Sequence, residues 1–181
     1  MSKQFYEKTL KSETLYEGRI IDLVLEDVEL PNGKMSKREI VKHPGAVAII
    51  PVTVEGKLVL IRQFRKALER NIVEIPAGKL EVGEKPEVCA MRELEEETGY
   101  KTNHMEKVIS FYTSPGFADE FVHIYFTNQL EQGVVNPDED EFVEKLEVTV
   151  EEAEKMILTN EIFDAKTAYA VQWLKLRNQN R

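Results

Sequence analysis

The stretch that most limits how this chain can fold runs from Gly78 to Tyr100, where a glycine-bearing loop feeds one short helix with its own start and stop signals. Pro86 suits the first helical turn, since the N–H it lacks would have no partner there, and Gly99 suits the position just past the end. The spacing predicts a helix from about Pro86 to Thr98. At about 100° per residue, Ala90, Met91, Leu94 and Thr98 share one arc, the expected core side. Glu93, Glu96 and Glu97 stand at i, i+3 and i+4 and fall on an adjacent arc. A helix that is apolar on one side and acidic on the next must lie against another layer.

The rest of the chain supplies strands for that layer. Residues 19 to 30 (RIIDLVLEDVEL) alternate partially, Pro31-Asn32-Gly33 makes a turn, and MSKREIVKH returns, so a hairpin is expected. His43-Pro44-Gly45 interrupts and marks a boundary between an N-terminal β segment, 1–44, and a main domain, 45–181. AVAIIPVTV and KLVLIRQF, separated by Glu55-Gly56, read as a second hairpin of buried strands. NIVEI, KVISFYT, FVHIYFTNQ and FVEKLEV read as further strands, and residues 131 to 141 as an acidic loop. Thr149 with Glu152 forms a plausible capping box, and Asp164 can cap a last helix with Ala168, Val171 and Leu174 on one side. Many strands with few helices predict an α+β fold, not a doubly wound one.

Charge narrows the partners. The formal net charge of -9 argues against a general nucleic-acid binder, which needs Lys and Arg to displace counterions from phosphates. No apolar run approaches the ~20 residues of a membrane span, and MSKQFYEKTL has no apolar core of a signal sequence. Cys89 is the single cysteine, so no intrachain disulfide can form, and the cytosol is the expected address.

Three carboxylates on one helix face repel by a few tenths of a kcal/mol per pair, and Arg92 is one nearby cation against them. Either the face is simply solvated, or a divalent metal resolves the conflict; hard cations with oxygen ligands, Mg²⁺ first, fit best. The loop GKLEVGEK has the glycine spacing of a P-loop, but Glu84-Lys85-Pro86 stands where Lys and Ser/Thr are required, which excludes that reading.

Read as one unit, Gly78 to Tyr100 resembles the Nudix box, G-x5-E-x7-R-E-U-x-E-E-x-G-U with U a bulky aliphatic. Gly78, Glu84, Arg92, Glu93, Leu94, Glu96, Glu97 and Gly99 are all in register, and Tyr100 departs by being aromatic. The resemblance implies a Nudix fold, an α/β/α sandwich around a mixed sheet, and Mg²⁺-dependent (or Mn²⁺-dependent) hydrolysis of a nucleoside diphosphate linked to another group. It implies Glu93 and Glu97 as principal metal ligands, the Ala77 carbonyl completing the site, and Glu96 supporting a further metal or its water. Arg92 would hold the carboxylates and Glu84 would brace the loop.

Beyond the box the chain resembles the ADP-ribose pyrophosphatases. Pro115 lies fifteen residues past Tyr100, where that subclass has a proline. Glu120 resembles a contact to the terminal ribose. Arg65 resembles a phosphate-binding arginine, or is otherwise an exposed strand-end cation. Lys79 joins the substrate-binding set. The loop DEDEFVE resembles the one that delivers a catalytic carboxylate, with Glu139 and Glu141 the candidates for general base and extra metal ligand. The N-terminal hairpin resembles a swapped segment that builds a homodimer, with Arg38 stacking on adenine and Glu39 hydrogen-bonding it, or else both are exposed strand charges. The expected reaction is ADP-ribose to AMP and ribose 5-phosphate. Another nucleoside diphosphate sugar or a dinucleotide is the alternative substrate, and a non-catalytic metal- or nucleotide-binding module the alternative class. Cys89 and Trp173 read as packing residues, and His43, His104 and His123 show no metal-like spacing.

Overall fold

The computed structural model describes residues 3–134 and 142–179, and the chain divides into two compact units. The first takes residues up to Gly45 together with 111–122. Its sheet is an antiparallel meander of β1 (Lys8–Glu17), β2 (Asp22–Glu29) and β3 (Met35–Lys42). The β2–β3 turn forms as its residues dictate. Gly33 sits at φ 80°, Asn32 Oδ1 accepts from the Lys34 amide at 3.0 Å, and the Leu30 amide donates to Lys34 O at 2.8 Å. β1 is a strand that the sequence reading does not anticipate. In the same unit, the Val41 amide donates to Phe117 O and the Asp119 amide to Val41 O, which stitches the 114–119 loop to β3.

The second unit holds residues 46–110 and from 123 onward. In chain order its strands are β4 (Ala46–Pro51), β5 (Leu58–Arg65), β6 (Arg70–Glu74), β7 (Ala77–Lys79), β8 (Tyr100–Lys101), β9 (Glu106–Tyr112), β10 (Phe121–Thr127), β11 (Glu131–Gln132) and β12 (Val143–Val148); the far end of β9 and the start of β10 fall in the first unit. Its helices are α1 (Pro86–Thr98), α2 (Val150–Leu158) and α3 (Ala165–Gln179).

β4 and β5 are both strands, but they do not pair as a hairpin. β4 lies between β7 and β10 in a sheet ordered β7-β4-β10-β9, whereas β5 lies between β12 and β6. Just past the end of β4, an isolated bridge pairs Val52 with Leu58 at the start of β5. Leu58, Val59, Leu60 and Ile61 are fully buried, so β5 is covered on both faces and its run is continuously apolar. Burying each such side chain contributes roughly 1.5–3 kcal/mol.

The helices lie on opposite faces of the β4 sheet. Val47, Ile49 and Tyr125 pack with Cys89, Ala90 and Leu94 of α1 in one apolar cluster. Phe126, the next residue along β10, points the other way and meets Trp173 of α3 at 5.2 Å between ring centroids. Trp173 packs there but is only half-buried, and the Arg177 guanidinium lies over its ring at 4.8 Å. The Thr149/Glu152 capping box forms in full, and Asp164 Oδ1 accepts from the Thr167 amide at 3.2 Å at the start of α3. Strands and helices together make an α+β fold.

Candidate active site

α1 begins at Pro86 and ends where Gly99 turns left-handed at φ 70°, its amide donating to Glu95 O at 2.9 Å. Its core side is Cys89, Ala90, Leu94 and Thr98, with Met91 packed at the margin. Beside them Glu93 and Glu97 are themselves buried, at 9% and 3% exposure. Buried carboxylates cost several kcal/mol each unless their charge is met.

Part of that charge is met by the strand in front of the helix. The Ala77 amide donates to Glu97 Oε2 at 2.9 Å. Gly78 lies directly under Glu93, so that a Cβ there would collide with the carboxylate. Arg92 meets the rest. Its Nε and Nη2 reach the two oxygens of Glu84 at 3.1 and 3.0 Å, while Nη1 reaches Glu93 at 2.8 Å and Glu96 at 2.9 Å. The Arg92 hydrogen bonds hold the Glu84 carboxyl at about 2, well below its ordinary value. Glu84 Oε2 also accepts from the Glu81 amide at 3.1 Å, which closes the loop into the helix.

Arg92 is thus bonded to Glu84, Glu93 and Glu96, while Glu97 is held by the Ala77 amide. Among the described residues no three His, Cys, Asp or Glu side chains converge on a single point, since Arg92 draws Glu93 and Glu96 toward itself. The donor set is all oxygen, carries surplus negative charge and is partly buried. These properties fit a hard divalent cation and do not fit a soft metal.

Arg65, at the end of β5, is not a free strand-end cation. Its Nε and Nη2 bind Glu74 at 2.6 and 3.1 Å. Burial alone would lower the Arg65 pKa, but the Glu74 bond and charge, with Glu97 and Asp164 adding theirs, raise it. Burial would likewise raise the Glu74 carboxyl, yet Arg65 and Lys166 bring it below its usual value. Glu74 and Lys166 were not singled out by the sequence; the one signal was a glutamate inside the otherwise apolar strand IVEI. Lys79 is exposed at the end of β7, and its carbonyl accepts from Cys89 Sγ at 3.3 Å. Burial pushes that thiol up to about 12, so Cys89 is inert packing.

Arg38, Glu39 and Glu120 belong to the first unit. Arg38 pairs with Glu7 through Nε at 2.8 Å and Nη2 at 2.5 Å, whereas Glu39 is exposed on β3. Glu120 accepts from Thr113 Oγ1 at 2.5 Å and lies 3.7 Å from His43 Nε2. Glu139 and Glu141 fall outside the described residues.

The NUDIX domain model matches residues 42–171, and the nucleoside diphosphate sugar hydrolase N-terminal domain matches residues 7–41. The chain belongs to the Nudix family. It is similar, at 59% identity over 97% of its length and 96% of the relative's, to an ADP-ribose pyrophosphatase of Bacillus subtilis. A methanol dehydrogenase activator of Bacillus methanolicus is 56% identical over 98% of this chain and 97% of the relative, and a GDP-mannose pyrophosphatase of Cronobacter sakazakii is 39% identical over 78% of each. The crystal structure of an ADP compounds hydrolase superposes with a TM-score of 0.84 over 97% of this chain and 98% of that one, at 23% identity, which shows the Nudix fold. Nudix ADP-ribose pyrophosphatases require a divalent metal.

Proposed function

We propose that this chain hydrolyses the diphosphate of ADP-ribose, giving AMP and ribose 5-phosphate, with Mg²⁺ as the metal and Mn²⁺ able to substitute. The observation that carries the reading is the pair of buried carboxylates, Glu93 and Glu97, brought together on one helix face against the Ala77-Gly78 strand. The near-full-length similarity to an ADP-ribose pyrophosphatase supports the choice of substrate.

In this reading Glu93 and Glu97, with the Ala77 carbonyl, hold the cation, and Glu96 supports a further ion or its water. Bound Mg²⁺ supplies screening of the diphosphate and activation of water. Arg92 keeps the carboxylates from splaying, and Glu84 ties Arg92 to the loop. Arg65 presents its exposed edge to a phosphate, with Lys79 alongside. Glu139 takes the proton of the attacking water and Glu141 serves as the extra ligand. The water oxygen bonds to one phosphorus, the bridging P–O bond breaks, and the bridging oxygen leaves with the other phosphate. Glu120 contacts the terminal ribose, and Arg38 and Glu39 hold the adenine across a homodimer interface built from the N-terminal sheet. Among the described residues no helix is long and apolar enough to cross a membrane, which suits a cytoplasmic enzyme with a small-molecule substrate.

The deciding experiment is a substrate panel with Mg²⁺, read as release of AMP and sugar phosphate. ADP-ribose should lead in kcat/KM. A second reading is favoured by the GDP-mannose pyrophosphatase relative: another nucleoside diphosphate sugar would then lead. Preference by 100-fold for a nucleoside triphosphate or coenzyme A, about 2.7 kcal/mol in the transition state, would overturn both.

A further inference from the structure

We propose that Glu74 is a positioning residue for the hydrolysis, one that fixes the plane of the Arg65 guanidinium so that its remaining edge faces the diphosphate. The proposal rests on the reading of Arg65 as a phosphate-binding group.

Glu74 is the last residue of β6 and is 2% exposed, the most deeply buried carboxylate among the described residues. Arg65 approaches it side-on, committing Nε and Nη2 to its two oxygens. Two parallel bonds set both the distance and the orientation of the guanidinium, which a single bond cannot do. Nη1 makes no hydrogen bond to any described residue, and the side chain is 40% exposed, so that edge is open to an incoming anion. The charge of the Glu97 carboxylate is among those that raise the Arg65 pKa, which ties Arg65 electrostatically to the α1 carboxylates.

Glu74 is in turn held from behind. Lys166 Nζ donates to Glu74 Oε2 and, at 3.0 Å, to Asp164 Oδ1. Asp164 Oδ1 also caps α3 through the amides of Lys166 and Thr167, and Thr167 Oγ1 accepts from the Ile75 amide at 2.9 Å. The residue after Glu74 is therefore pinned to the same helix turn that delivers Lys166. Arg65 stands on the solvent side of this network, 40% exposed against 16% for Lys166, where an anionic substrate can meet it. Asp164 balances Lys166, leaving Arg65 and Glu74 as a neutral pair until the substrate arrives.

The test is a double-mutant cycle on the full chain with saturating Mg²⁺, using ADP-ribose or whichever nucleotide sugar the wild type cleaves best. Arg65→Ala should lower kcat/KM. Glu74→Gln, nearly isosteric, should lower it by roughly 10- to 100-fold, the scale of a misplaced binding group. On the Arg65→Ala background the same Glu74→Gln change should cost less than about threefold, because nothing remains for it to position. The Mg²⁺ concentration for half-maximal rate should not move, which separates this effect from damage to Glu93 and Glu97. Glu74→Asp keeps the charge balance and runs the same cycle if circular dichroism shows Glu74→Gln unfolded. Equal losses on both backgrounds, or full kcat/KM in Glu74→Gln and Glu74→Asp, overturn the positioning role while leaving Arg65 as a phosphate ligand. Full kcat/KM in Arg65→Ala overturns the underlying reading instead, and the positioning role with it.

Discussion

The Ala77 amide donates to the Glu97 carboxylate at 2.9 Å across twenty residues of chain, and this bond joins the strand before the box to the last turn of its helix. Glutamine at position 97 can still accept that bond, so the fold should survive Glu97→Gln. One negative charge is lost from the cluster, and hydrolysis should fall by more than about 100-fold with a raised Mg²⁺ requirement that added Mg²⁺ partly relieves. Isothermal titration of Mg²⁺ alongside kcat checks it; unchanged metal affinity would remove Glu97 from the ligand set.

Gly78 makes a second steric prediction. Its side is occupied by the Glu93 carboxylate, and a methyl group cannot share that space. Gly78→Ala should therefore push Glu93 off its seat, lowering kcat at least tenfold, with the cost of a misplaced catalytic group as the guide. The apolar cluster around Leu94 does not pass through this contact, so the far-ultraviolet dichroism should match the wild type.

How far the sequence reached is clear from such residues. Helix α1 was legible because its signals are local: Pro86 starts it, Gly99 ends it, and the i, i+3, i+4 spacing puts Glu93, Glu96 and Glu97 on one arc. The Thr149 capping box was legible for the same reason. The partners of β4 and β5 were not, because Ala48 pairs with Ala77 and Leu60 with Leu146, and a run buried on both faces carries no mark of its neighbour. β1 was missed because all ten of its residues are exposed and show no inward-facing alternation. The Glu74–Lys166 contact spans 92 residues, and no spacing rule connects them.

Glu84 predicts a pH dependence. Its carboxyl lies at about 2 in the folded chain against 4.5 ordinarily, lowered chiefly by Arg92. A depressed carboxyl contributes stability above the unfolded value, and that contribution is lost as pH falls from about 4.5 toward 2. After a discount for solvent screening it is on the order of 1–2 kcal/mol. Urea midpoints of wild type and Glu84→Gln should differ at pH 7 and draw together as pH falls toward 2. A gap that stays constant with pH would mean the difference is packing and not charge.

The N-terminal sheet predicts an assembly. Within the first unit, β1 leaves Leu10, Leu15 and Tyr16 exposed, with Phe5, Tyr6 and Met35 exposed nearby in sequence or on β3. So much exposed apolar surface on one small sheet marks an interaction face. Light scattering should give twice the 20.9 kDa chain mass, and Leu15→Arg should shift the population toward monomer and lose activity together. A fully active monomer would rule out a shared site.

The last prediction separates holding the metal from taking the proton. Glu93 and Glu97 sit on a rigid helix and are tied to Arg92 and the Ala77 amide, which suits ligands that must not move. A general base has other requirements, namely reach to the water and a free lone pair, and no share in the anchoring. Glu139 and Glu141, outside the described residues, lie between β11 and β12 in sequence and are not part of that helix. Loss of a positioned general base costs roughly 10²–10⁴-fold in rate. Glu139→Gln should then lose kcat on that scale while KM and Mg²⁺ affinity stay near wild type, and extra Mg²⁺ should not rescue it. Glu141→Gln, as the extra ligand, should be rescued in part. If both variants keep more than about a tenth of wild-type kcat, less than the loss a base should cause, the proton must go elsewhere. Glu96, 31% exposed and bound to Arg92 through one oxygen, is then the next carboxylate to replace.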